Sequence, residues 1–238
     1  MASPSEKISG SAARSRRLPF IDGLRGLAAL AIVLYHTVEG HHVETLRAAL
    51  PDWVFAPLQQ GALRVAVFFV IAGFVLAKSL DGKPRDGQAG LMLTLRRLVR
   101  LGLPYWVAIA VVIAFAVLAS AVVKGRTPEH YTAAQIVAHM FFLQDLLHFK
   151  PVNPAFWTLG IEMQLFFVYL LFHLLGGPRA LVILAAVLSL WWPLAGDAAP
   201  PVNGWFFPYW HGFLLGAGAY QALRGRLPWP LFLVYTAL

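Results

Sequence analysis

The chain has 238 residues, 59% of them hydrophobic and 13% charged, with a net charge of +8 and no cysteine. A water-soluble domain of this size needs far more polar surface, so lipid is expected to cover much of the outside. The absence of cysteine excludes disulfides, thiolate nucleophiles and Cys-ligated metal. The basic residues flank apolar runs instead of forming a stripe, which argues for positive cytoplasmic loops and against nucleic acid as a partner.

Residues 1–20 are polar and basic (Lys7, Arg14, Arg16, Arg17) and read as a cytoplasmic tail. No small-residue cleavage pattern follows His36, so the apolar run after the tail is an uncleaved first helix with its N-terminus inside. Apolar runs predict spans near 21–38, 62–80, 103–123, 157–175, 179–195 and 205–223, with another starting near 229. The expected fold class is all-α, a polytopic transmembrane helical bundle over 21–238 without internal repeats. The last run, "LPWPLFLVYTAL", has barely begun at Leu238, so the domain is expected to be incomplete at its C-terminal end.

Residues 133–149, "AAQIVAHMFFLQDLLHF", are short for a span and carry Gln135, His139, Gln144, Asp145 and His148. If they cross fully, Arg179, Arg224 and Arg226 fall outside. If they dip in and return as a re-entrant hairpin, those arginines stay inside, as the positive-inside rule prefers. The hairpin places Glu162 near the outer end of the next helix.

In "DGLRGLAALAIVLYH", Arg25 and His36 are eleven residues apart. They share a helix face, separated by about 17 Å of rise. A cation near the inner mouth and a titratable base toward the outer end suit a long ligand with an anionic head and a reactive tail. Plainer readings exist: Arg25 can snorkel or pair with Asp22, and His36 beside Tyr35 can be an interfacial polar residue. Glu162 is harder to dismiss, since a charge inside a span costs roughly 3 kcal/mol and calls for a partner.

These residues resemble a known family. "DGLRGLAALAIVLYH" is similar to the first-helix motif of the acyltransferase-3 family of integral membrane O-acyltransferases. "VFFVIAGFVL" resembles its second-helix pattern through Phe68, Phe69, Gly73 and Phe74, with Ala72 where the family usually has Ser. "RRLVRLGLPYW" matches the basic run of the third helix (Arg96, Arg97, Arg100, Pro104, Tyr105), and "NPAFWTLGIEMQLFF" the WTLxxE segment (Asn153, Trp157, Thr158, Glu162). The family has about ten spans, of which about six to eight would fall in these residues.

The resemblance implies transfer of an acyl group, often acetyl from acyl-CoA, to a hydroxyl of a carbohydrate, lipid or other cell-envelope acceptor at a bacterial cytoplasmic (inner) membrane. Acyl-CoA would be a donor substrate, with no resident cofactor. Its phosphates need fixed cations, for which Arg25, Arg96, Arg97 and Arg100 are the candidates, although positive-inside topology explains the triple arginine as well. His36 is the candidate general base for the acceptor hydroxyl, or alternatively an acyl carrier, and Glu162 would orient and stabilise its ring. The rival reading is a transporter or flippase for a glycan or lipid intermediate, with the same polar residues along its path. His41, His42, Glu39 and Glu44 match no zinc-protease spacing, and no metal is expected.

Overall fold

The computed structural model describes residues 19–39, 51, 61–125, 127, 129–195 and 204–237. Every regular element among them is helical, with no strand. The chain divides into two units, residues 1–64 and 65–238.

In the first unit, helix α1 runs Pro19–Glu39, with Pro19 opening it and Asp22 in its first turn. Proline at a first position gives up an amide that would have no partner anyway, and an acid there favours the positive end of the helix dipole. Phe20, Leu27, Leu30 and Val33 of α1 are exposed.

Helix α2 is Gly61–Leu80, and from Val65 onward it belongs to the second unit. Helix α3 is Gly87–Val122, 36 residues or about 54 Å. The expected span, 103–123, is its C-terminal part, and the helix extends back through and beyond the basic run. Hydropathy breaks at the arginines, but arginine is a good helix former, and Asp86 caps the helix by accepting from Ala89 N at 2.6 Å. Pro104 sits inside α3 without ending it; its missing amide frees the carbonyl of Arg100.

Helix α4, Ala133–Met140, is capped by Thr132 and gives way to turns through His148. Eight residues rise about 12 Å, too little to cross a bilayer. The chain then doubles back: Gln135 Nε2 donates to the Lys150 carbonyl at 2.7 Å, and Val152 N donates to His139 Nε2 at 3.0 Å. Trp106 Nε1 donates to the Met140 carbonyl at 3.1 Å and ties α3 to this segment.

Helix α5, Trp157–Ala195, breaks at Gly177, whose φ of 63° and ψ of −151° no helix accommodates. The break falls between the two spans expected there. Helices α6, Trp210–Leu223, and α7, Trp229–Thr236, follow. Two helical stretches, Gly87–Val122 and Pro154–Gly177, are long and apolar enough to cross a membrane. The most apolar window of the first is only 11% buried, so α3 turns its apolar surface outward.

The core joins α2, α5 and α6 through Phe69, Leu165, Phe166, Trp210 and Phe213. The α2 and α6 backbones touch. A Cβ on Gly73 would collide with the Phe213 carbonyl, and one on Gly216 with the Val70 carbonyl. Two glycines facing each other's partner helix give the close approach that small residues allow.

At one end of this unit Asp81, just past α2, gathers three partners from the end of α6 and the turn after it. Tyr220 Oη donates to Oδ2 at 2.7 Å, Arg224 Nε lies 3.1 Å from Oδ2, and Arg226 Nη2 lies 2.5 Å from Oδ1. The Tyr220 hydrogen bond, then Arg226, holds the Asp81 carboxyl below its ordinary pKa. Gly177 meets the guanidinium of Arg85, which places the break in α5 at the same end.

Candidate functional site

The start of α5 is built by the WTLxxE residues themselves. Asn153 accepts from Ala155 N at 2.8 Å, and Thr158 Oγ1 donates to the Ala155 carbonyl at 3.1 Å, fixing the first turn. Trp157 packs on Tyr209 with ring centroids 5.3 Å apart. A rigid entry of this kind decides where Glu162, just over a turn later, points.

It points at α3. Arg97 Nη2 donates to Glu162 Oε1 at 2.6 Å, with the two side chains 16% and 19% exposed. The guanidinium also lies 4.7 Å over the centroid of Phe166, which is fully buried four residues after Glu162. One cation thus meets a carboxylate and an aromatic face presented by successive turns of one helix, a charge-assisted bond with little water around it.

Arg96 and Arg100 flank Arg97 but turn outward; both are exposed and neither has an ion pair among the described residues. The three arginines expected to act alike therefore divide, one engaged inside the protein and two presented outward. Tyr105, further along α3, stacks on Phe142 at 4.8 Å and meets Phe156 edge-on at 4.9 Å. In the second-helix motif, Phe69 is core, Gly73 serves the approach of α6, and Phe74 packs edge-on against Tyr220 at 5.4 Å. Ala72 is packed against the same core.

Arg25 lies on α1 in the first unit. His36 falls on α1 too, but its side chain lies outside the described residues. The expected pairing of Glu162 with His36 is accordingly not among the described contacts, in which Glu162 is held by Arg97.

The polar residues of 133–149 also find places. His139 is fully buried, and both ring nitrogens are used. The Gln135 carbonyl, 2.8 Å from Nδ1, can only accept, and the Val152 amide can only donate. The ring is therefore the neutral Nδ1–H tautomer. Gln144 is fully buried and donates through Nε2 to Asp145 Oδ2 at 2.9 Å. Polar residues in an otherwise apolar run were the signal for this network, but a signal without partners.

The acyltransferase-3 family, described as an acyltransferase domain, matches residues 18–238. The acyltransferase MdmB of Streptomyces mycarofaciens is 28% identical over 185 residues, 77% of this chain and 44% of that protein. The chain thus spans under half the length of that curated relative. No solved structure matches. With the match running through all four motifs, from α1 to the Arg97–Glu162 contact and beyond, the chain belongs to the acyltransferase-3 family.

Proposed function

We propose that this protein is a membrane O-acyltransferase that moves an acyl group, acetyl in the simplest case, from cytosolic acyl-CoA to a hydroxyl of a carbohydrate or related envelope acceptor. The family match supports acyl transfer, and the observation that carries the site is the bond between Arg97 and Glu162. It joins the basic run of α3 to the acidic motif of α5 and keeps the carboxylate oriented. In this reading His36 takes the proton of the acceptor hydroxyl as its oxygen attacks the thioester carbonyl, Glu162 steadies the imidazolium, and the proton passes to the CoA thiolate as the C–S bond breaks. The exposed Arg96 and Arg100, with Arg25, meet the phosphates of the donor, and Arg97 acts by holding Glu162.

The same reading makes α3 and the first part of α5 membrane-crossing in a bacterial inner membrane, within a bundle of about six to eight spans, with the N-terminus in the cytoplasm. The folding back of 133–149 and the clustering of Arg224 and Arg226 on Asp81 support its re-entrant form. With the hairpin, these cations share the cytoplasmic end with Lys83 and Arg85.

The test is full-length protein in nanodiscs given labelled acetyl-CoA and candidate glycan acceptors. Label on the acceptor, or acceptor-independent hydrolysis of the donor, is the expected result, lost in His36→Ala at unchanged expression. Flux of an acceptor without acylation, or full transfer by His36→Ala, overturns the reading.

A further inference from the structure

Away from the Arg97–Glu162 pair, two buried polar side-chain atoms of one neighbourhood lack a hydrogen-bond partner among the described residues. The Tyr105 side chain is 2% exposed and its hydroxyl bonds nothing described. Gln144 is fully buried, and its Oε1 is likewise without a partner. The orientation of that amide follows from its neighbour: a carboxylate accepts, so the NH2 faces Asp145 and the carbonyl oxygen is the orphan.

These groups lie together. The Tyr105 ring is stacked on Phe142, two residues before Gln144 and three before Asp145. Gly160 of α5 adjoins the same loop. A Cβ there would sit 3.3 Å from the Phe142 carbonyl oxygen, 3.4 Å from Asp145 Oδ2 and 3.5 Å from Gln144 Nε2. Gly204 crowds Asp145 from another side, where a Cβ would lie 2.7 Å from its carbonyl carbon. Glycines at both places let the backbone come up to the polar cluster.

A phenol O–H, an amide carbonyl and a carboxylate make one donor beside two acceptors. Buried polar groups are ordinarily satisfied, and two orphans in one neighbourhood ask for a partner. The set disfavours an anion, which Asp145 repels, so it is no place for the phosphates of an acyl donor. It fits a neutral group that both donates and accepts: a hydroxyl, or a neighbouring pair of them.

We infer that Tyr105, Gln144 and Asp145 form a polyol-binding subsite, in which a sugar hydroxyl donates to Gln144 Oε1 and accepts from the Tyr105 hydroxyl. This rests on the proposed acyl transfer to a hydroxyl acceptor and names the residues that hold that acceptor. They are positioning residues for the acceptor, not for the donor.

Equilibrium dialysis of full-length protein in nanodiscs against labelled methyl α-glucopyranoside tests it. Saturable binding is expected, weakened about fivefold, the loss of one net hydrogen bond, in each of the near-isosteric variants Tyr105→Phe and Gln144→Met. Asp81→Asn, at the far end of α2, leaves it unchanged. Melting temperatures of the variants separate lost binding from lost folding. Absence of saturable binding to the wild type, or equal affinity in folded Tyr105→Phe and Gln144→Met, overturns the inference. Glucoside binding without acetyl-CoA transfer or hydrolysis overturns the proposed activity and leaves the subsite standing.

Discussion

Glu162 Oε1 takes a 2.6 Å hydrogen bond from Arg97 Nη2 across 65 residues of sequence, and the guanidinium lies 4.7 Å over the Phe166 ring. Two ionised groups with so little exposure stabilise each other only as a pair, and removing one leaves the other desolvated and unmatched. Arg97→Gln and Glu162→Gln are each expected to cost about 1–3 kcal/mol, between the exposed and buried extremes. The double variant should recover part of that loss in chemical unfolding. Acyl transfer should stay low in all three, because the carboxylate is either gone or no longer held. Additive losses in the double-mutant cycle would deny the pair its coupling.

The glycines of α6 provide an internal contrast. Gly216 faces the Val70 carbonyl with no room for a methyl, whereas a Cβ on Gly212 would be 3.8 Å from the nearest atom, the Ala66 carbonyl oxygen. Gly216→Ala should therefore force α2 and α6 apart and destabilise by about 1–3 kcal/mol. Gly212→Ala should be neutral or raise the melting temperature slightly, since alanine is the better helix former by about 0.8 kcal/mol. Gly73→Ala should behave like Gly216→Ala. Equal melting temperatures for the Gly212 and Gly216 variants would mean that the helices are not in contact there.

What the sequence made legible follows the range of the forces involved. Apolar runs marked α1, α2, α6 and the division of α5 at Gly177, because burial and backbone conformation are local properties. The start of α3 at Gly87 was not legible from hydropathy, since Arg96, Arg97 and Arg100 interrupt an apolar run without interrupting a helix. Motif residues were visible, but their partners were not. Gly73 read as a family position, and only the packing of α6 explains why it has no side chain. Arg97 and Glu162 were assigned to different tasks, whereas a hydrogen bond between distant helices joins them. Asp81 carries no signal in the sequence, because its partners come from 139 to 145 residues later.

Asp81 also sets an acid limit. Its folded pKa is lowered, first by the Tyr220 hydroxyl and then by Arg226, from an ordinary value of about 3.9. A depressed carboxylate contributes stability that is complete above the unfolded value and is lost as pH falls through the folded one. The wild-type advantage over Asp81→Asn should therefore hold from pH 7 to about pH 5 and shrink below about pH 4. The arginines are 55% and 46% exposed, so solvent screening keeps each pair to under about 1 kcal/mol. Thermal melts of both proteins across this range provide the check, and a difference that grows on acidification would have the wrong sign for this carboxylate.

The same cluster predicts membrane sidedness. Asp81 holds Arg224 and Arg226, so the segment after α2 and the end of α6 lie at one end of their unit. If 133–149 re-enters, both ends face the cytoplasm with Lys83 and Arg85; a full crossing there would require them to face opposite ways. The chain has no cysteine, so single substitutions report without a background. Lys83→Cys and Leu223→Cys, both at exposed positions, should react with a membrane-impermeant maleimide only in inside-out vesicles or after permeabilisation. Labelling of Leu223→Cys from outside intact cells, with Lys83→Cys protected, would put the two ends on opposite faces. That arrangement is incompatible with the hydrogen bond from Tyr220 to Asp81.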